Sequence, residues 1–254
     1  MSPRVAAPFN LAGHLLWRHS GTLTQPRASS PRPVRSAAVR HQDSSGEPIW
    51  LWVEAPASVS SVADETSPWE LRLCTERLCL RVPTSQDAED LYDLFADAEV
   101  MQGLGKEPVS AVEEVRAMIE EGMIGGWTTD GLGPFILETA ATDLQVVGQA
   151  GLMIFNTRDW TPSTWAKAGS HAQPELGWAL TRAHWGHGYA TEAAAAIRDW
   201  AHERRKIDRL VSLISPDNVR SERVAERLGA MPTETVTPAH SKRTTVVWRY
   251  PPIV

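Results

Sequence analysis

The 254-residue sequence predicts a mixed α/β (α+β) domain over residues 70–254, behind an N-terminal extension over 1–69. Three observations carry this. Between Pro174 and Ala230 the chain reads strand, glycine-rich turn, helix, strand, loop, helix. Ahead of that stretch come a strand, two helices and two strands, which is not the alternating repeat of a doubly wound sheet. Before about Trp69, by contrast, no apolar periodicity persists long enough to build a core.

The first 41 residues hold six arginines, no lysine and no acid, among many Ser, Pro and Ala residues. That is the composition of a tail or linker, so the extension is expected to be disordered. The same composition also suits an organellar transit peptide, or a start codon set too far upstream. Within it, IWLWVEA at Ile49 to Ala55 is expected as a short strand or docking segment.

From Leu71 the pattern sharpens. Leu78, Leu80 and Val82 alternate as a half-buried strand that Pro83 closes. Thr84 stands three residues before Asp87, a capping-box spacing, and Leu91, Leu94, Phe95 and Ala98 form the stripe of a first helix. A second helix is expected from Ser110, with Glu113 three residues on and Val112, Val115 and Ile119 inward. Phe135–Glu138 and Val146–Ile154 read as strands joined by the polar turn ATDLQ. The connection from Asn156 to Pro174 is longer than most loops and carries Trp160, Trp165 and His171.

ELGWALT, Glu175 to Thr181, is the central strand. It breaks into AHWGHGYA and then into the alanine-rich helix TEAAAAIRDWAHE, which starts close to Ala190. Ala193, Ile197, Trp200 and Ala201 fall on one face, and Arg204, Arg205 and Lys206 suit the negative C-terminal end. Gly186 and Gly188 remove side chains where the first N–H groups of the helix lack partners, which makes either an anion site or simply a tight turn. After the helix, Arg209–Ser215 is a strand. Asn218 can N-cap the helix Val219–Leu228 that Gly229 ends, or contact a ligand. Thr244–Trp248 is a last apolar strand that completes the sheet.

WGHGYATEA, preceded by ELGWAL and followed by NVRSERVAERLGA, resembles the acetyl-CoA signature of the GNAT acetyltransferase superfamily. TERLCLRVPTSQDAEDLYDLFADAEVM, from Thr75, resembles the opening of its RimJ/RimL-like ribosomal-protein alanine acetyltransferase branch. The resemblance spans roughly Leu71 to Tyr250. It implies the GNAT fold, a central twisted, mixed but mostly antiparallel sheet flanked by helices. It also implies acetyl-CoA as cosubstrate, an amine acceptor and no metal. By this likeness His187, Gly188, Tyr189, Ala190 and Thr191 present amides to the pyrophosphate, and Trp178, Ala179 and Leu180 bond the pantetheine arm as an added strand. Asn218 then has a second role as a cofactor contact, and the Asn156–Pro174 connection becomes an acceptor-cleft flap or a surface insertion. Trp185 stands where the superfamily more often has Gln or Arg, and is common in the branch.

The chemistry needs a neutral amine and stabilisation of the departing thiolate. An α-amine titrates near 7.7 to 8.0, so about a tenth is neutral at pH 7, far more than of a lysine side chain. The resemblance makes Glu175 a base acting through water; otherwise it is a solvated strand-end carboxylate. The tyrosine that the superfamily places seven residues after the helix-opening Asn is Ala225 here. Ser221, at Asn+3, is the nearest hydroxyl. Missing that tyrosine, a non-catalytic acyl-CoA sensor is the alternative to an N-acetyltransferase.

Composition excludes other classes. No run approaches the roughly 18 apolar residues of a membrane span. A net charge of −6 supplies no basic footprint for nucleic acid, so neither membrane nor nucleic acid is an expected partner and the expected location is cytoplasmic. Cys74 and Cys79 lie an odd number of residues apart in a strand-like segment without a nearby histidine. They are expected to be free thiols on opposite faces of one strand, neither bridged nor metal-bound.

Overall fold

The structure, a computed structural model, describes residues 39–42, 48–51, 67–140, 144–239, 241 and 243–252. The chain divides into two compact units, Met1–Val62 and Ala63–Val254. In the first, β1 (Val39–Gln42) pairs antiparallel with β2 (Pro48–Leu51), with Val39 opposite Leu51. Of the strand or docking segment expected over Ile49–Ala55, Ile49–Leu51 is strand, with a partner that the sequence did not signal, and the rest lies outside the described residues. The disorder expected for the rest of the extension falls on residues outside those described.

The second unit opens with the hairpin of β3 (Arg72–Cys74) and β4 (Leu78–Arg81), which corrects the reading of the cysteines. The chain reverses at Thr75–Arg77, so Cys74 and Cys79 sit opposite each other on two strands and form a disulfide. A one-strand reading put them back to back because it did not see the turn.

Thr84 and Asp87 form the expected capping box ahead of α1 (Ala88–Ala96). Asp87 is buried, and burial alone would raise its carboxyl. The Arg81 guanidinium, bonding both its oxygens at 2.9 and 2.5 Å, and the Thr84 N–H outweigh that and hold it below the usual range. Arg81 also donates to Glu138 on the neighbouring strand at 2.6 Å, so one arginine ties the sheet to the first helix. Asp97 ends α1 and caps α2 (Ala98–Gly103) through the N–H groups of Glu99 and Val100, which moves Ala98 into a separate helix. The second expected helix begins at α3 (Val112–Ala117), runs through a π turn (Met118–Met123) and continues as α4 (Ile124–Asp130). Ser110 precedes it and bonds Glu114, not Glu113.

β5 (Pro134–Thr139) and β6 (Val146–Asn156) follow as expected. The long connection is more ordered than its length suggested. β7 (Thr161–Ser163) folds back on β6, and α5 (Trp165–Ala168) leads into the central strand β8 (Ala172–Leu180). Then come α6 (Tyr189–Arg205), β9 (Val211–Ile214), α7 (Val219–Arg227), β10 (Met231–Val236) and β11 (Thr245–Arg249). The sheet order is β10-β11-β9-β8-β6-β5-β4-β3, antiparallel except at β8–β9. β11 does not complete the sheet; β10 lies outside it. β10, MPTETV, is nearly all exposed and lacks the apolar alternation that would have announced it.

Two apolar layers cover the sheet. On the α6 side Leu152, Leu176, Ile197 and Trp200 pack with Trp127 and Phe135, whose rings lie 4.8 Å apart edge to face. On the other side Leu91, Phe95, Val115 and Ile119 pack on Ile136.

Candidate active site

The site is built on a fork in the sheet. β8 pairs with β6 along its whole length, Ala172 opposite Asn156 through to Leu180 opposite Gly148. On its other side it meets β9 at one pair, Glu175 with Val211, and from there the two strands part. Side chains bridge the parting. The Ser212 hydroxyl donates to the Leu176 carbonyl at 2.5 Å, and the Leu213 N–H donates weakly to Glu175 Oε1 at 3.4 Å.

Beyond the fork one edge of β8 has no strand partner among the described residues. The Thr181 N–H bonds the Val147 carbonyl, and bonded pairs of an antiparallel ladder recur every second residue. Gly177 and Ala179 are therefore turned to β6, while Trp178 and Leu180 direct their backbone groups into the gap. Of the three residues expected to bond a pantetheine arm, Ala179 lacks the orientation to do so. The Leu180 carbonyl is also taken, by the Trp185 indole N–H at 2.8 Å. That bond gives Trp185 a local task that Gln or Arg would perform differently.

The gap opens into a cleft of about 1360 Å³, lined by all nine expected cofactor residues and by Ser221. At its base Gly188 has φ 81°, a left-handed conformation that glycine adopts without strain, and it begins α6 with no side-chain cap. The N–H groups of the first helical turn are thus left facing the cleft, at the positive end of the helix dipole. Thr191 Oγ1 is buried there without a hydrogen-bond partner among the described residues. An orphaned hydroxyl and uncapped amides around a left-handed glycine fit a pyrophosphate. Arg220 lies over the Trp185 ring at 4.3 Å, and pairs across the cleft with Glu99 of α2 at 3.0 Å. Asn218 caps α7 by accepting from the Ser221 N–H at 3.1 Å, and its amide reaches the Gly103 carbonyl at 3.4 Å, so the capping role is occupied while the residue still lines the cleft.

Glu175 stands apart from these residues. It is not a solvated strand end: the side chain is buried at the apex of the fork. Burial pushes its carboxyl up to about 7, against the smaller downward pulls of the Leu213 N–H and the Lys106 charge. A carboxyl titrating near neutrality can take and release a proton at working pH. Ala225, at the tyrosine position, is fully buried and carries no hydroxyl. No residue of the Asn156–Pro174 connection lines the cleft, and Trp160 is packed in the core beside Phe155.

Sequence reasoning missed Arg77, Glu192, Arg220 and Glu99, all of which line the cleft. Glu192 lies inside the quoted motif and could have been noticed. Arg77 is more than a hundred residues away and carries no local signal. Among the described residues no group of His, Cys, Asp and Glu is arranged to hold a metal, and no helix is long and apolar enough to cross a membrane.

A forked mixed sheet with an uncapped helix start at the mouth of the fork has the shape and the free donors that an extended, phosphate-bearing ligand beside the central strand needs. The model of the acetyltransferase (GNAT) domain matches residues 77–231, more than half of the chain, and the chain belongs to that family. It is an acyltransferase, and GNAT enzymes use acetyl-CoA. It is 30% identical over 157 residues to "Uncharacterized N-acetyltransferase p20" of Bacillus licheniformis, a match covering 61% of this chain and 80% of that protein. The crystal structure of an acetyltransferase from Agrobacterium tumefaciens superposes with a TM-score of 0.57 at 27% identity, covering 78% of this chain and 99% of that one. The aminoglycoside acetyltransferase AAC(6')-Ib, solved with ribostamycin and coenzyme A, shares the fold at a TM-score of 0.55 and 17% identity, covering 69% of this chain and 94% of its own.

Proposed function

We propose that residues 70–254 form an N-acetyltransferase domain that moves the acetyl group of acetyl-CoA to a primary amine, with a protein N-terminal α-amine as the acceptor class, as in the RimJ/RimL-like branch. The observation that carries this reading is the placement of Glu175, a buried carboxyl at the apex of the fork, where the open edge of β8 ends.

Bound acetyl-CoA supplies an acetyl group activated as a thioester. The chain does the rest. His187, Gly188, Tyr189, Ala190 and Thr191 hold the phosphates at the start of α6, and the backbone groups of Trp178 and the N–H of Leu180 align the arm. Glu175 accepts the proton of the incoming ammonium through a water. With its carboxyl near 7, it is roughly half ionised at neutral pH, enough to serve an α-amine that is already partly neutral. Ser221 supplies a hydroxyl at the cleft wall as proton donor to the departing sulfur. A thiol with a pKa near 8.5 leaves as a fair thiolate, so this weak donor replaces the tyrosine that Ala225 does not provide.

The buried alanine at 225 also favours a second reading, an acyl-CoA sensor without turnover. Small-molecule amines stay within the first reading, since the similar AAC(6')-Ib is an aminoglycoside acetyltransferase. One experiment separates them. Purified protein is mixed with acetyl-CoA and, in turn, N-terminal peptides, polyamines and aminoglycosides, while free thiol is followed. Release with peptides blocked at lysine but free at the α-amine is expected. Release with polyamines or aminoglycosides alone moves the acceptor class to small molecules, and binding without release to any of them selects the sensor.

A further inference from the structure

The phosphate turn is clasped from outside its own motif. Arg77, on the β3–β4 turn, donates through Nη1 to the His187 carbonyl at 2.8 Å and through Nε to Glu192 Oε2 at 2.7 Å. Its guanidinium also lies over the Tyr189 ring at 5.0 Å, and that ring stacks on His187. The other Glu192 oxygen accepts from the Thr75 hydroxyl at 2.5 Å and from the Arg77 N–H at 2.9 Å. The Cys74–Cys79 disulfide closes the turn that presents both residues.

Glu192 sits in the first turn of α6, where a negative side chain suits the helix dipole but opposes an incoming phosphate. Burial would raise its carboxyl. The bonds from Thr75 and Arg77 keep it below the usual range, so it stays charged. Only a cation placed against it can cancel that charge, and Arg77 does so while fixing the His187 carbonyl on the far side of the turn. A lysine could not, because the task needs a planar fork with donors in two directions.

We infer that Arg77 is a positioning residue of the acetyl-CoA site: it sets the shape of the His187–Tyr189 turn and neutralises Glu192, so that the amides of α6 meet the pyrophosphate in the right geometry. The inference rests on the phosphate-cradle reading above. No contact between Arg77 and the ligand is part of it.

Calorimetric titration of the full chain with CoA, dephospho-CoA and pantetheine tests it. Parent protein binds both phosphate-bearing ligands more tightly than pantetheine; equal affinities would sink the cradle reading itself, before Arg77 is considered. In Arg77→Ala, affinity for CoA and dephospho-CoA is expected to fall together by about tenfold or more, the loss of charged hydrogen bonds, with pantetheine unchanged. Arg77→Lys keeps the cation without the fork; it is expected to fold like the parent and still lose phosphate-dependent affinity, which covers the case in which the alanine variant is unstable. Loss of pantetheine binding to the same extent would reduce Arg77 to a structural support. A deficit for CoA alone would make it a direct contact to the 3′-phosphate, and unchanged affinities in both variants would end the proposal.

Discussion

The two halves of β8, AQPE and GWAL, stand in opposite situations. Ala172 to Glu175 is closed in, with β6 on one side and β9 meeting it at Glu175 on the other. Trp178 to Leu180 pairs, among the described residues, with β6 alone and faces a cleft. The closed half can bury a carboxyl and shift its titration; the open half can lend backbone groups to a ligand. In the proposed mechanism, binding and proton transfer are thus separated by where one neighbouring strand departs.

The largest expected effect tests the turn that serves the open half. Gly188→Val forces a β-branched residue to φ 81°, a strain on the order of 1–3 kcal/mol, and sets its Cβ 3.4 Å from Arg77 Nη2. Affinity for acetyl-CoA should fall roughly 100-fold while the far-UV spectrum hardly changes. Calorimetry showing parental affinity would detach the phosphates from this turn.

In the closed half, Glu175→Gln should lower kcat/KM at pH 7 by roughly 10²-fold with little change in cofactor affinity. The rate of the parent should rise with pH through about 7 as the carboxyl ionises, whereas the variant should recover by about pH 9, when an α-amine arrives neutral. A variant as fast as the parent at pH 7 would leave Glu175 without a catalytic part.

The same substitution should show what the closed half costs. Folding raises the carboxyl from 4.5 to about 7, so the folded chain keeps a proton that the unfolded chain gives up. Stability from this group is complete below about pH 4.5 and is lost as pH rises to 7, on the order of 3 kcal/mol. Glu175→Gln cannot ionise, so it should melt several degrees above the parent at pH 8 and at the same temperature near pH 4. Equal melting at both would mean that the carboxyl is not buried in solution.

The smallest effect sharpens the contrast along the strand itself. Amide exchange at Trp178 and Leu180 should slow by about tenfold or more when CoA is added, while Gly177 and Ala179, turned to β6, should be slow with or without it. Uniform protection of all four would mean that the ligand does not use this edge.

What was readable beforehand was what neighbours in sequence encode. ELGWAL, the two glycines and the alanine-rich run lie end to end, so strand, turn and helix start could be placed from local preference; the candidate cofactor residues came from the family resemblance that these residues carry. The role proposed for Glu175 depends on β9 leaving at Val211, a fact about two strands more than thirty residues apart. Arg77 and Glu192 meet across a separation of 115 residues, and no local pattern announces a contact of that range. The cysteines were misread for a smaller reason: Thr75–Arg77 lacks the glycine or proline that marks a turn, so two strands looked like one.

The open edge of β8 has a further consequence for the protein when its ligand is scarce. Exposed N–H and C=O groups along a strand are a template for a foreign strand, and edges of this kind are where sheet proteins associate and aggregate. Trp178, and Leu180 through its N–H, offer that template only when nothing lies beside them. On the proposed binding mode the acetyl donor would then also be a plug: the population of protein with a bare edge, and with it the tendency to self-associate, would rise as the concentration of acetyl-CoA falls.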